Sequence, residues 1–115
     1  MLILILVLLL FPCSSFVFAM ESVTVTAYCM NKQKTASGKT VKHGHIAVSH
    51  DLFKKGWKFG KKIEVRGIGI FVIEDKMHRR KTKSLDVYMS SQKKAKIFGK
   101  RKMFARLVDN EIRVD

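Results

Sequence analysis

Residues 68–88, IGIFVIEDKMHRRKTKSLDVY, hold two apolar runs separated by a cationic one. The first, IGIFVIED, is a nearly continuous series of β-branched and aromatic residues, the composition of a well-buried strand. The second, SLDVY, alternates, so Leu85 and Val87 face inward while Asp86 and Tyr88 face the other way. Between them, KMHRRKTKS is too polar to cover a core and reads as a loop. Each flanking strand places one aspartate beside this loop, Asp75 and Asp86, in a chain with nine acids against 23 Lys and Arg.

Working outward, KKIEVR (61–66) also alternates, and Gly67 and Gly69 flank a tight reversal into the strand that ends at Asp75, which predicts a hairpin. Residues 22–28, SVTVTAY, predict a half-buried strand with Val23, Val25 and Ala27 on one face and Tyr28 and the threonines on the other. From Cys29 to His45 no apolar period exists, so this is a long loop or a pair of turns. Ile46-Ala47-Val48 is a short apolar run. After it, Ser49 or Asp51 caps a single helical turn that Gly56 ends. Ser90 or Ser91 starts a short helix, stopped by Gly99, with Ala95 and Phe98 on its apolar face. The last strands are KMFARLV and EIRV, joined through Asp109-Asn110. Short strands, one or two helical insertions and no proline after Pro12 predict a small, mainly β barrel.

At 115 residues the chain has room for one domain. Residues 1–19 carry no charge, consist mainly of Leu, Ile, Val and Phe, and end in Val17-Phe18-Ala19, which predicts an export signal cleaved after Ala19. No Lys or Arg stands near its start, so an uncleaved anchor is the other reading, and it would be the protein's one contact with a membrane. The expected location is the periplasm, the cell wall or the extracellular space. Phe11 and Pro12 ahead of Cys13 argue against a lipid-modification site. Cys29 is then alone in residues 20–115, too few thiols for a disulfide or a zinc site, and reads as a small half-buried side chain ending a strand.

The formal charge of +14 belongs entirely to residues 20–115. Such a field attracts anions. The aromatic-plus-basic signature of an RNA-binding module is absent and export puts DNA out of reach, so nucleic acid is not an expected partner. Wall polymers and anionic lipid surfaces are the polyanions left. No metal-ligand spacing occurs and no cofactor is expected.

Three fragments carry a resemblance: VTAYC; TASGKTVKHGHIAVSHDL with GWKFG; and FVIED followed eleven positions later by LDVY, then AKIFGKR. Together they resemble the 3D domain, named for three aspartates, which closes the membrane-bound lytic transglycosylase A family and stands alone in small exported wall-remodelling proteins. The resemblance covers about residues 23–108. It implies a double-psi β-barrel, peptidoglycan glycan strands as the partner of a monomeric protein, and Asp51, Asp75 and Asp86 as the three aspartates, with Asp86 as general acid/base. Thr35-Ala36-Ser37-Gly38 matches the family's groove-lining segment, so Thr35, Ser37 and Gly38 join Tyr28 and His78 as expected substrate-binding residues. In the family a glycine-rich turn follows the first of the paired aspartates. Here the cationic KMHRRKTKS stands in its place, suited to binding wall carboxylates and phosphates.

The chemistry can be argued separately. A lytic transglycosylase needs one carboxyl group that donates a proton to the leaving oxygen and then takes one from the attacking 6-hydroxyl. That group must hold its proton, whereas a field of Lys and Arg favours the carboxylate. Asp75 counters this field if its strand pairs with that of Asp86 beside the groove. The plainer readings are that Asp51 caps a turn, that Asp75 pairs with Arg79 or Arg80, that Asp86 bonds a surface lysine, and that Trp57 packs rather than stacks on a sugar. A noncatalytic wall-binding module is the alternative function.

Overall fold

The computed structural model describes residues 20–29, 35–38 and 42–108. The leader, the Asp109-Asn110 turn and the EIRV strand fall outside them. Strands β1 (Glu21–Tyr28), β2 (His45–Val48), β3 (Lys62–Val65), β4 (Gly69–Lys76), β5 (Ser84–Tyr88) and β6 (Arg101–Leu107) are joined by two short helices, α1 (His50–Lys54) and α2 (Gln92–Phe98). The strands close into a barrel in the order β1-β5-β2-β4-β3-β6. β1 pairs with β5, and β2 with β4, in parallel, and the other neighbours are antiparallel. This is the expected double-psi β-barrel with two short helices.

Alternation builds the core. Val23 and Val25 of β1, Ile46 and Val48 of β2, Ile63 and Val65 of β3, Ile73 of β4 and Leu85 and Val87 of β5 point inward and are buried. Leu52 of α1, Phe98 of α2 and Trp57 join the same cluster. Trp57 is 3% exposed, so it packs and offers no ring to a sugar. The β3–β4 hairpin turns through Gly67 and Gly69 at φ 96° and 118°, values at which a side chain would be strained. Ser91 caps α2 by accepting the Lys94 N–H, and Gly99 at φ 66° ends it. Ser49 precedes α1 but leaves its helix uncapped, because its hydroxyl oxygen accepts the Ser84 N–H instead.

One expectation is corrected. β4 and β5 do not pair with each other, because β2 lies between them and bonds to both. The physical reason lies in the connection. A hairpin loop takes about two to five residues, whereas residues 77–83 are enough chain to step across an intervening strand.

Leu85 is fully buried beside Asp86 and holds β5 in register. Leu85→Ala is expected to lower stability by about 3 kcal/mol through lost burial and a cavity, read as a lower urea midpoint with an unchanged slope.

Candidate active site

The insertion of β2 places four residues in one row across four neighbouring strands. Thr26 of β1 stands opposite Asp86 of β5, Asp86 opposite Ala47 of β2, and Ala47 opposite Asp75 of β4. Residues in register share a face. Ile46 and Val48 point into the core, so the row lies on the outer surface of the barrel wall. Ala47 is nonetheless only 4% exposed. A β-bulge gives the row its second acid. The register shifts between Ile46 and Ala47, so Ile46 faces Ile73 but Ala47 faces Asp75, with Glu74 as the extra residue. Without that bulge, Glu74 would occupy the row.

The two aspartates are separated by two strand spacings, roughly 10 Å between Cα atoms, with the smallest side chain of the row between them. No hydrogen bond joins them, and each has its own donors. Thr26 Oγ1 donates to Asp86 Oδ1 over 2.9 Å. Asp75 Oδ1 accepts the N–H groups of Ala36 and Lys76, both at 2.9 Å. Arg79 and Arg80 form no ion pair with Asp75. Among the described residues the ion pairs are Lys55–Glu21 and Arg106–Glu64, and neither involves the row.

Two residues along from Thr26 and Asp86, Tyr28 and Tyr88 meet edge to face with ring centroids 5.7 Å apart. The Tyr28 hydroxyl is buried and points toward Asp75 without reaching hydrogen-bond geometry. Burial, followed by the charges of Asp75 and Asp86, raises its pKa above the ordinary tyrosine range. A buried hydroxyl left unbonded costs about 1–3 kcal/mol.

Burial is also the largest influence on Asp86 and raises its pKa. The Thr26 hydrogen bond and the Lys81 charge pull it down, the Asp75 charge pushes it up, and the net direction is upward. The Lys81 pull is thus outweighed by desolvation together with a like charge.

Asp51 stands apart from this row. Its two carboxylate oxygens accept the Lys83 N–H at 3.2 and 3.0 Å and clamp the end of the 77–83 loop to α1. Partial burial alone would raise its pKa, but hydrogen bonds from the Ser49 hydroxyl and from backbone N–H groups, that of Lys83 foremost, outweigh it and the net direction is downward. Lys83 sits at φ 42°, the one non-glycine residue at positive φ among the described residues, and the Asp51 clamp is what holds it there.

Of the other residues singled out by sequence, Thr35, Ser37 and Gly38 do lie beside the row. Ser37 N–H donates to Glu74 O at 3.2 Å, Thr35 and Ser37 share a hydroxyl contact of 2.9 Å, and Gly38 N–H closes the turn onto Thr35 O. His78 lies in the exposed basic loop, where its Nδ1 accepts the Arg80 N–H. Cys29 is half-buried at the end of β1, as expected. Sequence reasoning passed over Thr26 and Ala47. The available signals were a threonine on the outer face of β1 and the one small residue in a β-branched run.

Two hollows open along β1. One of about 480 Å³ is lined by Ala27, Tyr28 and Cys29 together with Gln92, Ala95 and Lys96 of α2. The other, of about 210 Å³, lies under the basic loop, and the two share Thr26 and Lys100. Asp86 therefore sits behind the residue where they join. Among the described residues no cluster of His, Cys, Asp and Glu is arranged to hold a metal ion, and no helix is long and apolar enough to cross a membrane.

No protein-family model and no curated protein sequence matches the chain. Solved structures do. The apo expansin of Clavibacter michiganensis superposes with a TM-score of 0.62 at 17% identity, over 83% of this chain and 53% of that one. An Asp-to-Asn mutant of the same expansin in complex with cellohexaose gives 0.61 at 16%, over 84% and 54%. The likeness is one of fold. This chain spans about half the length of those proteins.

The two aspartates with shifted pKa values predict opposite effects on stability. The folded Asp86 binds its proton more tightly than the unfolded one, so its contribution is full below the unfolded-state pKa and is lost as pH rises through the raised folded value. Asp86→Asn keeps an acceptor for Thr26 and removes a half-buried charge, so it is expected to be more stable than the parent at neutral pH and to lose that advantage in acid. Asp51 has the opposite sign. Its contribution is present above the unfolded-state pKa and is lost as pH falls through the lowered folded value. Asp51→Asn is expected to cost about 1 kcal/mol at neutral pH and little in acid. Urea midpoints at the two pH values check both. A destabilised Asp86→Asn at neutral pH contradicts the electrostatic assignment.

Proposed function

We propose that the chain is an exported protein that remodels the cell wall, acting on the glycan strand of peptidoglycan as a lytic transglycosylase with Asp86 as the acid/base. The observation that carries this reading is the row Thr26-Asp86-Ala47-Asp75, in which a half-buried carboxyl with an upward-shifted pKa stands near a second acid, with neither paired to a cation. The resemblance to 3D domains supports it from sequence. A neighbour of the same fold, solved with cellohexaose, supports a polysaccharide as the class of ligand.

In this mechanism Asp86, oriented by Thr26, protonates the glycosidic oxygen through Oδ2, the oxygen that Thr26 does not engage. The C–O bond breaks, and the developing positive charge at the anomeric carbon is met by the negative field of Asp75 across Ala47. The Asp86 carboxylate then removes the proton of the sugar's own 6-hydroxyl as that oxygen closes on the anomeric carbon. No water enters the bond, and the product ends in a 1,6-anhydro ring. Ala47, the smallest side chain of the row, keeps bulk out of the interval between the acids. Asp51 serves by holding the loop.

Incubation of the purified protein with cell-wall sacculi, followed by mass spectrometry of released muropeptides, tests this reading. Anhydro-muropeptides are expected from the parent and at least about a hundredfold fewer from Asp86→Asn, the scale of a lost general acid. Products with free reducing ends would instead make Asp75 the base of a water-using hydrolase. Co-sedimentation with sacculi and no release at all would leave a noncatalytic binding module.

A further inference from the structure

The hollow under the basic loop has a composition that the cleavage chemistry does not require. Its walls present the hydroxyl-bearing Thr24, Thr26 and Thr82 together with Arg80, Lys81 and Lys100, and no acid lines it. A surface of scattered lysines would be the ordinary consequence of a +14 chain. This site differs from that in three ways. Its cations border a concave space rather than a convex face. None of them takes part in the ion pairs formed among the described residues. The loop that carries Arg80 and Lys81 is also fastened at both ends.

That fastening is extensive for an exposed loop. Met77 N–H donates to Val48 O at 2.9 Å, Lys81 N–H to His78 O at 3.0 Å, and Thr24 N–H to Lys83 O at 2.9 Å. The Asp51 clamp holds Lys83 in its left-handed conformation, Ser84 N–H bonds Ser49 Oγ, and Ser84 Oγ donates to Thr82 O at 2.7 Å. The fold sustains a lysine at positive φ at the end of a short segment that carries four cations, Arg79, Arg80, Lys81 and Lys83. Groups held in place lose less entropy on gaining a ligand.

We propose that this hollow is an oxyanion subsite of the glycan groove, taking a carboxylate or phosphate carried on the chain next to the sugar whose bond meets Asp86. What fills the rest of the groove rests on the glycan-cleaving reading, whereas the preference for an anion stands on the hollow itself. The guanidinium of Arg80 suits a planar, two-pronged contact with either group, and the ammoniums of Lys81 and Lys100 add charge without fixing direction. A neutral sugar would leave all three solvated and gain nothing from them. The subsite is coupled to the acid through two residues. Thr26 lines the hollow and donates to Asp86, and Lys81 is the cation whose charge pulls on Asp86. An anion seated beside Lys81 offsets that pull, so recognition of a charged strand helps Asp86 keep its proton.

The test measures binding and not cleavage, using the full chain carrying Asp86→Asn so that no turnover intervenes. Its three probes are neutral chitotetraose, peptide-free glycan strands bearing sugar-linked carboxylates, and an oligomer of glycerol phosphate, each followed by calorimetry. The carboxylate-bearing strand is expected to bind about tenfold more tightly than chitotetraose at low salt, and to lose most of that margin once salt screens the contacts. Arg80→Gln with Lys81→Gln should abolish the margin and leave chitotetraose affinity unchanged, while Lys93→Gln with Lys94→Gln on α2 should preserve it. Tighter binding of glycerol phosphate than of the carboxylate strand assigns the subsite to a phosphate source and upholds the anion preference. Equal affinity for charged and neutral probes overturns the proposal, as does an equal loss in the α2 variant. An anion preference in this test, together with a parent protein that releases no anhydro-muropeptides from sacculi, refutes the cleavage reading alone.

Discussion

The register of β2 between β4 and β5 is the constraint on which the site depends. Side chains alternate along a strand, so a slip of one residue would send a whole set of groups through the wall to the other face. Here the inward set of Ile46, Val48, Leu85 and Val87 is buried, and its burial fixes the pairing that brings Thr26, Asp86, Ala47 and Asp75 into one row. The bulge at Glu74 is the local device that converts an even register into one presenting Asp75. Core packing thus sets the geometry of the acids, and the spacing between them is the width of one strand on either side of an alanine.

Electrostatics then acts on that geometry. Two unit charges interact by about 1 kcal/mol at 4 Å in water and several times more strongly near a protein surface, so an excess of cations would be expected to keep every carboxylate ionised. At Asp86 that pull is opposed, because the residue is partly withdrawn from water and shares its neighbourhood with Asp75, and the net direction of its pKa is upward. Asp51 shows the contrary outcome in the same protein: hydrogen bonds from the Ser49 hydroxyl and from backbone N–H groups lower its pKa and make it a fastener. Two aspartates in one small barrel therefore shift in opposite directions, because burial prevails at one and hydrogen-bond donors at the other, which their sequence neighbours do not reveal.

Much of the fold was legible in the sequence because its signals are local. The alternation of SLDVY, the hairpin glycines, the Ser91 cap and the Gly99 stop each act within a few residues. The closeness of Thr35 and Ser37 to Asp75 was legible only through family resemblance, since an ordinary turn has the same composition. What could not be read was long-range order. Nothing in residues 74–88 announces that β2 intervenes between the two acid-bearing strands, or that a bulge selects Asp75 over Glu74. The partnership of Thr26 with Asp86 spans 60 positions and exists only once β1 and β5 align in parallel.

The upward shift of the Asp86 pKa is the point on which barrel geometry and proposed chemistry meet. A carboxyl-carbon NMR titration of Asp86, in the parent and in Asp75→Asn, measures it directly. A midpoint above the ordinary aspartate value in the parent, moving down when the Asp75 charge is removed, is the predicted result. A midpoint at or below that ordinary value, indifferent to Asp75, would show a permanently ionised surface aspartate and contradict a role for the row in acid catalysis.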